Sequence, residues 1–147
     1  MGGDSSFDLE YGYQPAPMLG PREIREMAAA GIEFGSHSRR HPNSLTRLSD
    51  HALRDEVEGS RRMLESLLQH PVDSFSYPHS GLDARVETAV VAAGYRVACA
   101  GVGSRFDRFC IGRIAPPLAG GLSLAAAVRW RGLKGALRTG LLRPPLP

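Results

Sequence analysis

At 147 residues the chain has the size of one ordinary domain, enough to bury a core but too little for a complete eight-fold α/β barrel. A hydrophobic content of 42% and a charged content of 22% are those of a globular protein, and no run approaches the roughly 20 apolar residues of a membrane span. The net charge of +3 is unevenly spread: all 15 acids lie at or before Asp107, whereas residues 108–147 carry seven basic residues and no acid. The basic character therefore belongs to the tail and says little about the body. Two cysteines, Cys99 and Cys110, make no disulfide framework, and Cys99 in "YRVACAG" reads as a small buried residue. The opening "MGGDSSFDLEYGYQ" has neither a basic nor an apolar stretch of the secretory kind, so the default expectation is a cytoplasmic chain.

Residues 1–17 read as an irregular lead-in rich in Gly, Ser and Pro. "GPREIREMAAAG" predicts a short helix with Pro21 in its first turn, Gly31 beyond its end, and Ile24, Met27 and Ala28 on the buried face. "IEFGSH" predicts a strand in which Ile32 and Phe34 alternate with polar neighbours. A second helix is expected from the N-cap Ser49 to about Gln69. Leu53, Val57, Leu64, Leu67 and Leu68 form its stripe, and Asp55, Glu58, Arg61 and Arg62 its wet side. "VDSFSYP" predicts a strand stopped by Pro78, and Asp83 caps a third helix that Gly94 closes. "YRVACAG" and "RFCIGRIA" predict two further strands. Residues 122–142 predict a helix with Val128, Leu133, Leu137 and Leu141 on one side and most basic residues elsewhere. Such a helix either packs on the body or lies against an anionic membrane surface.

Helix–strand alternation with short links implies βαβ units and a parallel sheet, whose sites lie at the carboxyl ends of the strands. "SHSRRHP" and "YPHSGLD" both fall at such ends. His37 and His41 are two imidazoles held by a strand end and the following loop, an arrangement that can converge on one zinc ion. An isolated pair of histidines four apart is more often a solvent-facing feature, and from these residues alone both readings stand. Ser38 between them is placed to bond nearby backbone, and Pro42 stiffens the exit.

From about Met18 to Gly101 the chain resembles the polysaccharide deacetylase family, the NodB-homology domain of carbohydrate esterase family 4 type. "GIEFGSHSRRHP" resembles the family's second motif, H-[ST]-x-x-H-P after a short strand, and "FSYPHSGLD" resembles its third. "VVAAGYRVACAG" is similar to the helix and strand that follow, and "RFCIGRIA" to a later strand carrying an arginine, here Arg113. The resemblance implies a partial (β/α) barrel, with the basic C-terminal helix added to it. It implies a divalent metal, commonly zinc, on His37 and His41, and hydrolysis of N- or O-acetyl groups on a sugar polymer. The backbone N–H of His79 would face the acyl oxyanion, Arg113 would support the site, and Tyr77, Pro78 and Asp83 would border the substrate. The family usually has Tyr at the place of His79 and Gly at that of Ser80.

Two departures accompany the resemblance. The family's first motif, T-F-D-D-G, supplies the general base and the third metal ligand. Asp8 in "SSFDLE" lies only 29 residues before His37 without a paired acid, and reads as a loop residue. No histidine follows His79 to act as the family's general acid. The chain is accordingly expected to be a truncated deacetylase-like domain over 18–118, with the basic helix and tail over 119–147. It would be completed by other polypeptide or by self-association, or else be an inactive carbohydrate-binding or scaffold remnant. The partners expected are an acetylated polysaccharide and, through the tail, a membrane surface. Nucleic acid is not expected, because Trp130 is the only aromatic among the tail's arginines.

Overall fold

The computed structural model describes residue 14, residues 17–101 and residues 107–113. The expected helix over 122–142, most of the lead-in and Asp8 lie outside these residues.

Helix α1, Pro21–Ala29, begins with proline where a missing amide costs nothing and ends before Gly31, whose φ of 90° suits glycine. Its face of Ile24, Met27 and Ala28 is half-buried. The strand expected at residues 32–37 is reduced to a single parallel bridge between Ser36 and Phe75. Ile32 is half exposed, so the alternation of apolar residues there meets no covering layer among the described residues. What survives of the strand is the pair of bonds that matters for position: Ser36 N–H to Ser74 O at 2.9 Å, and Ser76 N–H to Ser36 O at 2.8 Å.

Helix α2, Asp50–Leu68, starts at Ser49, whose hydroxyl accepts the Ala52 amide at 3.3 Å, and ends at Gln69 in the left-handed region. Its buried side is Leu53, Glu56, Val57 and Ser60, spaced as one helical face. Arg61, expected on the wet side, turns inward instead. Its guanidinium donates to Val72 O at 3.0 Å and Ala93 O at 2.5 Å and lies over the Tyr95 ring. A long amphipathic side chain can cover apolar surface while satisfying carbonyls that helix and strand ends leave open.

Strands β1 (Ser74–Ser76), β2 (Val97–Ala100) and β3 (Ile111–Gly112) form a parallel sheet in the order β1-β2-β3. Helix α3, Ala84–Ala92, carries the crossover from β1 to β2. Asp83 Oδ1 accepts the Val86 amide at 2.8 Å as its N-cap, and Gly94, at φ 86°, follows its end. With Ser36 bridged to β1, the sheet runs in chain order from one edge to the other, the sequential order of a (β/α) barrel wall.

The core fills the space between sheet and helices. Phe75 meets Tyr77 edge-on and Tyr95 at a tilt, at ring separations of 5.3 and 5.2 Å, with Leu45, Leu53, Val57, Val72, Val86, Val90, Ala98 and Ala100 around them. Aromatic pairs at such distances add to the gain from burial itself. A buried polar chain ties the Ser36 segment to α2: Ser36 donates to Ser60 at 2.7 Å, and Ser60 and Tyr95 both reach Val57 O. Burial raises the Tyr95 phenol above its ordinary value. Cys110 is buried while Cys99 is only partly so, the reverse of the expected emphasis on Cys99, and both are free. The alternation in β2 explains this: Ala98 and Ala100 take the core side, leaving Cys99 on the other face. Among the described residues no helix is long and apolar enough to cross a membrane.

Candidate metal centre

The two loops of interest leave the same end of the sheet. One follows Ser36, beside β1, and the other follows β1 itself. His37 is the first residue past the bridge, and its Nδ1 contacts Ser76 O at 2.6 Å. A carbonyl only accepts, so this contact places the proton on Nδ1 and leaves the lone pair of neutral imidazole on Nε2. Fixing one ring nitrogen in this way is how a protein orients a metal-ligating histidine.

The chain then turns sharply. Ser38 sits at φ 68° and His41 at φ 53°, and Ser38 Oγ accepts the His41 amide at 3.1 Å, as the sequence suggested for that serine. The turn brings the His41 ring to 5.0 Å from that of His37, centroid to centroid. With metal–nitrogen bonds of about 2 Å each, rings at this separation can reach one ion. Burial, and after it the neighbouring His37 and His79, hold the His41 imidazole below its ordinary pKa, which favours the neutral form a cation requires.

The second loop is a one-turn 3-10 helix, Pro78–Ser80, in which His79 (φ 50°) and Ser80 (φ 57°) are left-handed. The Ser80 amide is spent on Tyr77 O and the Gly81 amide on Pro78 O. The exposed ring of His79 packs edge-on against His41 at 4.8 Å. Three imidazoles thus lie in a row, a grouping the sequence did not reveal because His79 belongs to a different loop. Even so, no group of three or more His, Cys, Asp or Glu side chains among the described residues is arranged to hold a metal.

The other residues marked by sequence are placed differently. Tyr77 is wholly buried, with its hydroxyl donating to Phe109 O at 2.9 Å, and Pro78 is buried below the loop. Their side chains form the floor of the loop and offer no surface to a sugar. The Asp83 carboxylate is occupied as the cap of α3. Arg113 follows β3 at the same end of the sheet, and its Nε donates to Ala100 O at 3.1 Å. Sequence reasoning also passed over Glu56 and Ser60. Both stand at helical spacing from Leu53 within the apolar stripe, and a polar residue inside such a stripe was the available signal.

A family model described as polysaccharide deacetylase matches residues 8–98, more than half of the chain. The chain belongs to the polysaccharide deacetylase family. The match opens at Asp8, ten residues before the stretch in which the motif resemblance was expected to begin. Among solved structures, a polysaccharide deacetylase from Bacillus cereus is 25% identical with a TM-score of 0.57, covering 65% of this chain and 31% of its own. A de-N-acetylase from Aggregatibacter actinomycetemcomitans shares the fold at 16% identity and a TM-score of 0.62, covering 78% of this chain and 56% of its own. A mutant of a CE4 family pseudoenzyme from Bacillus anthracis, with restored enzymatic activity, is 25% identical with a TM-score of 0.50, covering 54% and 29%. None of the curated proteins matches. The chain therefore spans between 29% and 56% of the length of these relatives.

Polysaccharide deacetylases generally depend on a metal. The donor set fits two positions around such an ion: His37 with its Nδ1 held by Ser76 O, and His41 beside it, whose imidazole burial holds below its ordinary pKa. The Ser76 hydroxyl, on the face of β1 opposite Phe75, is buried with no hydrogen-bond partner among the described residues. A polar atom left so costs about 1–3 kcal/mol unless another group meets it.

Proposed function

We propose that this chain carries the histidine part of a metal-dependent carbohydrate deacetylase site, acting on N- or O-acetyl groups of a polysaccharide. The observation that carries the reading is the His37 ring fixed through Nδ1 to Ser76 O, with the His41 ring 5.0 Å away. A divalent cation such as zinc, held there by His37 and His41, would supply Lewis acidity beside the acetyl carbonyl and lower the pKa of water. The chain's own residues do the rest of what is available to it. The His79 amide is the donor positioned for the acyl oxygen as it gains negative charge. The buried Tyr77 and Pro78 hold that amide's loop in place. Arg113 braces the end of β2 through Ala100 O.

General base, general acid and third ligand are not supplied by the described residues, and losing a proton-transfer group removes about 10²–10⁴ in rate. Catalysis accordingly needs these groups from outside the described residues, whether from this chain, a completing chain or another copy. A second reading has its own support in the pseudoenzyme relative: an inactive deacetylase-like module that binds carbohydrate.

Calorimetric zinc titration, paired with acetate release from a chito-oligosaccharide, separates the readings. Zinc binding that vanishes in His37→Ala and His41→Ala, with acetate release restored when a chain bearing the missing carboxylates is added, supports the deacetylase. Oligosaccharide binding unaffected by chelator, with no acetate released under any of these conditions, supports the binding module and ends the first reading.

A further inference from the structure

Helix α2 buries one carboxylate. Glu56 is 4% exposed, and its Oε2 accepts the backbone amides of both Arg39 (2.9 Å) and Arg40 (2.8 Å), while Oε1 takes the Arg40 guanidinium at 3.0 Å. Two consecutive amides converging on one oxygen form a nest that an anion stabilises. The nest lies between left-handed Ser38 and left-handed His41, the two residues that bend the chain from one candidate ligand to the other. Each left-handed non-glycine residue is strained and persists only where its surroundings hold it.

The neighbouring acid works differently. Asp55 pairs with the side chains of Arg39 and Arg40 at 2.6 and 2.8 Å, and its own side chain is 32% exposed. Those contacts tie down flexible arginine ends at a wet surface, where ion pairs contribute little. Glu56, by contrast, grips the backbone of the turn from the buried side of α2, beside the bond from the His41 amide to Ser38 Oγ within the turn itself.

We infer that Glu56 is a positioning residue for the histidine pair: its carboxylate holds residues 38–41 in the turn that sets the His41 ring against that of His37. The geometric claim stands on these hydrogen bonds. Its consequence for ion affinity rests on the metal reading proposed above.

The test uses the full chain and compares Glu56→Ala and Glu56→Gln with Val90→Ala, a core truncation in α3 that lowers stability without touching the turn. Two readouts are taken: hydrogen exchange of the Arg39 and Arg40 amides with the ring contact between His37 and His41 followed by NMR, and zinc affinity by calorimetry. Glu56→Ala is expected to speed exchange of both amides at least tenfold and to separate the rings. Its zinc affinity should fall about 10–100-fold, the usual cost of losing an orienting partner. Glu56→Gln keeps one acceptor oxygen for the amides and should recover part of both signals, which also serves if the alanine variant does not fold. Val90→Ala should leave both at the wild-type values. Unchanged amide exchange and ring contact in the Glu56 variants, or equal changes in Val90→Ala, overturn the inference. Wild-type protein that binds no zinc would overturn the metal reading, while exchange and ring contact still decide the role of Glu56.

Discussion

The loop after Ser36 and the loop after β1 leave the sheet side by side, yet they are held by opposite means. Residues 38–41 are gripped from outside the loop by a buried acid on α2, and what they present is a side chain, the ring of His41. Residues 78–80 are held from below by the packing of Tyr77 and Pro78, and they carry the exposed His79 ring together with the amide proposed above to face the acyl oxygen. The contrast follows from chemistry. Orienting an imidazole needs fixed hydrogen bonds around its backbone, whereas aiming an amide needs a rigid turn on a firm floor.

Breaking the floor should have the largest effect. Tyr77→Ala removes a ring packed on Phe75 and the bond to Phe109 O, and should cost about 3–5 kcal/mol in denaturant unfolding. Tyr77→Phe, which loses only the hydroxyl, should cost about 1 kcal/mol. Next comes the side-chain loop: His37→Ala should weaken zinc binding by at least about 100-fold in calorimetry, because one remaining imidazole binds a cation poorly. Its thermal stability should hardly move, since His37 is exposed. A change in the backbone loop alone sharpens the contrast. Ser80→Gly at φ 57° relieves left-handed strain and should raise stability by up to about 1 kcal/mol in urea unfolding, with zinc affinity unaltered.

The smallest effect concerns pH. Arg40 foremost, and then Arg39, hold the Asp55 carboxyl below its ordinary value of 3.8. A carboxyl lowered in the folded state adds stability above that ordinary value, and the contribution disappears as pH falls through the folded one. Acid unfolding of Asp55→Asn should therefore show a slightly flatter decline below pH 4 than wild type, and added salt should shrink the difference.

Much of this architecture was legible in the chain. Proline, serine, aspartate and glycine punctuation placed α1, α2 and α3 nearly to the residue, because caps act locally and leave local signatures. The strand over 32–37 misled, since alternation records only that a surface exists to bury, and Ile32 finds none among the described residues. His37 and His41 were legible as a pair from their spacing and the motif around them. The His79 ring beside them was not, because its approach depends on how two separate loops leave the sheet. Tyr77 and Asp83 show the converse. Their motif positions gave no sign that the Tyr77 hydroxyl donates to Phe109 O or that Asp83 Oδ1 accepts the Val86 amide. Arg61 shows how an amphipathic pattern assigns a long side chain to water when unpaired carbonyls draw it inward.

The most direct check on the central claim is a zinc titration of the protein with its histidines labelled in ¹⁵N. If His37 and His41 grip one cation, the Nε2 resonance of His37 and one ring nitrogen of His41 shift together and saturate at one equivalent, while His37 Nδ1 keeps its proton on Ser76 O. Rings that respond independently, or that stay unmoved while other histidines shift, would contradict it.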